Sequence, residues 1–173
     1  METQLERQFL DHSAEKLEQY TSRIETCLGM LTGEQVWARG GENENAVGNL
    51  VLHLSGNVRQ WIIASVGGRP DVRDRDSEFD ARGGVAIPQL AERLRSTVRE
   101  AVAVIQNVTH ERLSERQVIQ QYEVSVLEAI YHVVEHFSMH TGQILFATKM
   151  LTGGDLGFYA HLRSTAPHGQ KTP

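Results

Sequence analysis

Four long stretches of the chain carry apolar residues at three- and four-residue spacings with polar residues between them, the pattern of amphipathic helices. Leu5, Phe9, Leu17, Tyr20, Ile24, Leu28 and Leu31 predict a first helix over residues 3–31. Val47, Leu50, Val51, Leu54, Val58, Trp61 and Ile62 form the stripe of a second, over 46–65. Pro88 stands in the first turn of a third, where proline is tolerated, and Leu90, Leu94, Val98, Val102 and Ile105 carry that helix to Gln106. The fourth spans 125–151. A capping box of Ser125 and Glu128 opens it, and Gly153 and Gly154 stop it. Its buried stripe is Val126, Ile130, Val133, Val134, Phe137, Thr141, Ile144, Leu145 and Thr148.

The connections differ in kind. Residues 32–45, rich in glycine and asparagine, read as a loop that Trp37 anchors against the bundle. Residues 67–87 form a longer link, and loops of that length without a pattern of their own are uncommon unless functional or disordered. In it Arg73, Asp74, Arg75, Asp76 and Glu78 mix signs before Phe79. Such a run reads either as a solvated loop held by weak exposed ion pairs or as a wall or lid over a site. Residues 107–123 are polar and turn-like, with a short extended piece at Val118–Tyr122. The prediction is therefore an all-α fold, an up-down-up-down four-helix bundle with a long connection between helices 2 and 3. Residues 1–160 are expected to form a single domain and 161–173 a flexible tail.

Composition narrows the classes of function. A length of 173 residues suits one domain with a sizeable core, and 40% hydrophobic with 23% charged residues is ordinary for a soluble protein. A net charge of -5 gives no concentrated basic face for nucleic acid. No apolar run approaches the roughly 18 residues that span a bilayer, and METQLERQFLDH lacks the layout of a signal peptide. Cys27 is the single cysteine, so no intramolecular disulfide forms and a reducing cytoplasm is the default location. Its thiol reads as a small buried core group.

The candidate chemistry lies in Tyr131–Leu145, YHVVEHFSMHTGQIL, which spaces His132, His136 and His140 at i, i+4 and i+8 on one helix. Adjacent members of such a row are neighbours on one face and could grip one metal ion, with a third ligand from another helix. His53, in NLVLHLSGN, falls on the shoulder of the second helix's stripe. Taken alone it reads as a histidine satisfied at a helix–helix contact. With Ile130 as the zero of the wheel, His140 lies about 80° away, His136 about 120° and His132 about 160°. That favours His136 and His140 over His132. HxxxH by itself is a weak signal, and the glutamate that gives HExxH its general base is missing. Spacing alone leaves a three-histidine metal site and three structural histidines both standing. His12, in the first helix, is an outlying candidate, and His161 and His168 lie in the tail.

GNLVLHLSGNVRQWI at 48–62, RDRDSEF at 73–79 and HVVEHFSMHTGQI at 132–144 occur in an order that resembles the DinB-like (DinB/YfiT) superfamily, more narrowly a DUF1572-type member. The resemblance covers roughly residues 5–155 and implies a four-helix bundle with a divalent metal on three histidines. It carries over onto His53 from the second helix and onto His136 and His140 from the terminal HxxxH. His132 matches a residue that is frequent in the superfamily but not among its ligands. Characterised relatives of this kind include metal-dependent transferases of bacillithiol or mycothiol and a mycothiol-dependent isomerase, and homodimers are common among them.

Three neutral imidazoles leave coordination positions for water or substrate, and all-nitrogen ligation suits Zn, Ni, Fe or Mn. A thiol held there would lose its proton and become a nucleophile. The expected activity is therefore transfer of a low-molecular-weight thiol to a small electrophile. Metal-activated hydrolysis and a non-catalytic metal-binding dimeric bundle are the alternatives. Glu135 points away from the histidine pair, which leaves no evident general base, and Asn57 and Gln143 are candidates to orient the ligand rings.

Overall fold

The computed structural model describes residues 4–162. Four long helices build it: α1 (Gln4–Met30), α2 (Val47–Val58, continued by a π-helical turn over Arg59–Val66), α4 (Ile87–Gln106) and α5 (Val126–Thr152). A short helix α3 (Arg75–Asp80) lies in the second connection, and a hairpin of β1 (Arg116–Ile119) and β2 (Tyr122–Ser125) precedes α5. Of the tail expected at 161–173, His161 and Leu162 close a 3₁₀ turn, and the rest, His168 included, lies outside the described residues.

The sequence-level boundaries hold to within about two residues because each end has a physical stop. Ser125 Oγ accepts from Glu128 N while Glu128 Oε2 accepts from Ser125 N, satisfying donors that the first turn of α5 would leave bare. Gly153 ends α5 in the left-handed region at φ 66°, its N–H returning to Lys149 O. Leu10, Leu17 and Ile24 of α1, Leu54 of α2, Leu90, Leu94 and Ile105 of α4, and Ile130 and Phe137 of α5 are fully buried at the centre. Burying each such side chain contributes about 1.5–3 kcal/mol. Cys27 joins this core, and burial pushes its thiol up. Trp37 pins the first loop as expected, its Nε1–H donating to Val85 O.

The bundle of four long helices is present, but its directions do not alternate as expected. α1 packs against α4 and α5, and α2 packs against the same two helices. Arg7, at the start of α1, donates to Gln106 O at the end of α4, so those two are antiparallel. Gln35, just past α1, donates to Leu151 O at the end of α5, so α1 and α5 are parallel. Arg59 pairs with Glu100, and Arg112, just past α4, donates to Val66 O at the end of α2. α2 and α4 therefore run the same way, and the order is up, down, down, up.

The second connection makes this possible. The 20 residues of α2 and its π turn extend about 30 Å. The chain between Gly67 and Ala86 can span that distance easily at about 3.3 Å per residue. It climbs back along α2: Arg73 reaches Gln60 and His53, Glu78 meets His53, Ala81 meets Asn49, and Val85 meets Trp37. With α4, α5 and this return strap around it, α2 is buried on every side from Val47 to Val58. The expected one-sided stripe with His53 on its shoulder is thus replaced by a helix with no solvent face.

Candidate metal centre

His53 comes from the middle of α2, and His136 and His140 come from successive turns of α5, which crosses α2 in the opposite direction. Their Nε2 atoms converge. His136 Nε2 is 3.0 Å from His53 Nε2 and 3.1 Å from His140 Nε2, and the three ligand nitrogens lie within 4.8 Å of one another. The rings meet edge to face, with interplanar angles of 63°, 86° and 76°. Four-coordinate nitrogen ligands at 2.0–2.1 Å from an ion stand about 3.4 Å apart, so little movement separates this arrangement from a metal-binding one.

Hydrogen bonds on the far side of two rings set their tautomers. Glu78 Oε2 lies 3.1 Å from His53 Nδ1, and Gln143 Oε1 lies 2.7 Å from His140 Nδ1. Both oxygens accept, which favours a proton on each Nδ1 and a lone pair on each Nε2 toward the common point. Arg73 Nη2, also 3.1 Å from His53 Nδ1, then donates to Glu78 Oε2 at 2.8 Å rather than to the ring. This is the carboxylate–histidine arrangement that orients metal ligands. His136 Nδ1 is buried without a partner among the described residues. A single Nε2 proton on His136 could satisfy only one of its two neighbours, whereas a cation would accept all three lone pairs. The donor set therefore fits a divalent ion, and imidazole nitrogen suits Zn, Ni, Fe or Mn.

Electrostatics favours the neutral forms of His136 and His140. Burial lowers His136, and the neighbouring His140, His53 and His132 with Arg73 lower it further, to about 3. Burial also lowers His140, opposed by its bond to Gln143. Neutral imidazole is the ligating form.

The support beneath His53 was not legible in the chain. Glu78 is only 3% exposed, so of the two readings left open for this run the solvated loop with weak exposed ion pairs does not describe it. Arg73 grips its carboxylate with two bonds of 2.8 Å, Nε to Oε1 and Nη2 to Oε2. Burial alone would push Glu78 up, but the bonds from Arg73 and His53 outweigh it and hold the carboxyl below its usual range. Gly56 is required beneath this pair, because a Cβ there would collide with the Glu78 carboxylate. Asn49, fully buried one turn before His53, ties down the strap by donating to Glu78 O and Ala81 O, and its Oδ1 accepts from Arg39. Phe79 lays its ring 4.7 Å from that of His53. The one sequence signal for these residues was RDRDSEF itself.

His132 stands apart from the ligand trio. Its ring packs on Trp61 at 4.1 Å, and burial lowers its basicity against the opposing charge of Glu135. Trp61 and His132 form one wall of a cavity of about 470 Å³ that opens onto His53 and His136. Asn57 also lines it, but its Oδ1 is buried without a partner and does not serve a ligand ring as expected. Gln143 does, through His140. The hairpin closes another side: Gln120 and Gln121 make its two-residue turn at φ 50° and 72°, a conformation side chains adopt at some cost. That turn sets Gln120 Nε2 2.6 Å from Gln60 Oε1 at the cavity's edge. His12 lies far from the site, exposed and beside Glu15.

Residues 4–162 match the family model described as "Protein of unknown function (DUF1572)". The chain belongs to the DUF1572 family. A crystal structure of a conserved protein from Enterococcus faecalis shares the fold, with a TM-score of 0.72 over 83% of this chain and 97% of that one. At 15% identity that likeness concerns the fold alone. No curated protein matches the sequence. Among the described residues no helix is long and apolar enough to cross a membrane.

Proposed function

We propose that this DUF1572 protein is a divalent-metal enzyme whose ion sits on His53, His136 and His140, and that it transfers a low-molecular-weight thiol of the bacillithiol or mycothiol kind to a small electrophile. The convergence of three Nε2 lone pairs beside an open cavity is the observation that carries this reading. The resemblance to the DinB-like superfamily supplies the reaction class.

A divalent ion at this point would favour the deprotonated form of a thiol or water reaching it from the cavity. The protein's own part is positional. Glu78 and Gln143 hold two rings with their lone pairs inward, and burial disfavours protonation of His136 and His140. The Trp61–His132 pair and the hairpin form walls of the cavity. Glu128 reaches the cavity but is committed to Ser125 N and Arg116, so it offers no general base. Among the described residues lining the cavity no carboxylate is free, which favours thiol transfer over hydrolysis, since a thiol needs less help to ionise than water.

The homodimer belongs to the same proposal. It is supported by an exposed apolar row on α5, in which Tyr131, Met139, Phe146 and Met150 are 56–72% exposed. Sedimentation velocity tests it, and a monomer at micromolar concentration removes it. For the site, metal analysis of untagged protein should find close to one ion per chain, lost in His53→Ala and His136→Ala. Retention of metal in both variants refutes the assignment. A metal-loaded protein that transfers none of a panel of thiols is left with the non-catalytic reading.

A further inference from the structure

The charged side chains lining the cavity are Arg73, Arg75 and Glu128, and two of the three are already neutralised. Arg73 is spent on Glu78 through two bonds, and Glu128 is bound to Arg116. Arg75 has no carboxylate within ion-pairing distance among the described residues. Of the nearby acids, Asp74 caps α3 through Ser77 N, Asp71 accepts from Gln60 and from Arg73 N, and exposed Asp76, next in the chain, makes no ion pair with Arg75 among the described residues.

Arg75 is nonetheless held in place. Its guanidinium lies over the Phe79 ring at 4.9 Å, and Phe79 in turn lies against His53. The cation is thus one aromatic ring away from a ligand of the candidate metal centre. Asn49 and the Arg73–Glu78 pair fix the backbone on either side of that ring. A stacked guanidinium keeps its edge free, and that edge is a planar fork matched to a carboxylate.

We infer that Arg75 is the anion-recognising residue of this cavity and that the molecule acted on carries a carboxylate, docked on Arg75 while its reacting end reaches the histidines. The inference deepens the metal-enzyme reading by naming the charge and shape of the ligand. A single fork suits a carboxylate better than a phosphate monoester, whose three oxygens usually draw several donors or a helix N-terminus.

The test begins on metal-free protein, so that it stands apart from the metal assignment. Arginine Nε–H resonances are followed while propionate, propanol or methyl phosphate is titrated in, and the Arg75 signal is identified by its loss in Arg75→Gln. Propionate should shift that signal saturably, propanol should not, and exposed Arg99 should drift only weakly and linearly. No saturable shift at Arg75 overturns the inference, and a stronger response to methyl phosphate overturns the choice of carboxylate.

The second arm uses cobalt-loaded protein with 3-mercaptopropionate and its neutral analogue 3-mercapto-1-propanol, read by the sulfur-to-cobalt absorption band. The anionic thiol should bind about tenfold more tightly, and Arg75→Gln should erase the difference. Equal binding by the wild type refutes the role of Arg75 while leaving the metal site intact. A band from neither thiol refutes thiol binding at the metal and leaves the propionate result to decide on Arg75.

Discussion

Replacing Glu78 by glutamine separates the two tasks that this buried carboxylate performs. Glu78 and Arg73 are each 3% exposed, so the substitution leaves a guanidinium in the interior without its counter-charge. Breaking one partner of a buried pair costs about 3–5 kcal/mol. In a chain of this length that lowers the melting temperature by about 10 °C. The same change removes the charge that makes the His53 ring a strong donor, which weakens metal binding about 10- to 100-fold. The two effects part in a second variant. Adding Arg73→Gln removes the stranded cation and should restore most of the lost stability, because a neutral pair in place of a buried ionic one is often tolerated. Metal affinity, measured by competition with a chelator, should stay low. If affinity recovers together with melting temperature, Glu78 acts only through general stability and its role toward His53 is refuted. If Glu78→Gln melts within 2 °C of the wild type, about the effect of 1 kcal/mol, the strap is not packed against α2 as described.

Other perturbations test separate contacts. Gly56→Ala should destabilise by about 1–3 kcal/mol, far beyond its effect on an exposed helix, because the new methyl must displace the Glu78 carboxylate; urea unfolding measures this. His132→Ala should keep its metal whereas His140→Ala should lose most of it, a contrast read by elemental analysis. Metal-free protein should lose stability in acid. The unfolded chain takes up protons at histidine near pH 6.5 while folded His136 resists them to about 3, so its contribution is complete above 6.5 and disappears as pH falls toward 3. The depressed Glu78 adds a loss of the same sign below the usual carboxylate range. For His136 this is on the order of 2–4 kcal/mol after solvent screening, and chemical denaturation at pH 7 and pH 4 checks the difference.

The helices were legible because their information is local. Periodicity, the Ser125–Glu128 box and the Gly153 stop act within a turn or two of chain. The pairing of His136 with His140 followed from the same local geometry. His53 was the best third candidate from its helix, and the family resemblance supplied the weight against its reading as a structural histidine. What stayed hidden depends on contacts far apart in sequence. Up-down-up-down was expected from four amphipathic helices joined by loops, with the long second connection read as a loop that returns the chain without setting direction. Nothing in GGRPDVRDRDSEFDARGG shows that it instead climbs the full height of α2. The hairpin turn was obscure for another reason: Gln120 and Gln121 adopt a conformation that Asn-Gly usually announces, so the strand pair lacked its sequence marker.

The connectivity and the site have one cause. In a strictly alternating bundle a short loop would join α2 to its neighbour, and α2 would keep a wet face with His53 at its edge. Running α4 parallel to α2 forces a long return, and the return must lie on that face. It therefore buries His53, brings Glu78 and Arg73 to its far nitrogen, lays Phe79 against its ring and leaves Arg75 lining the cavity. The strap also explains why RDRDSEF looks like surface and behaves partly as interior: two of its five charges, Arg73 and Glu78, pair over Gly56 of α2, and Asp74, Arg75 and Asp76 are exposed. A bundle of this topology can carry a buried imidazole in its second helix because the same crossover that covers the ring also supplies its hydrogen-bond acceptor.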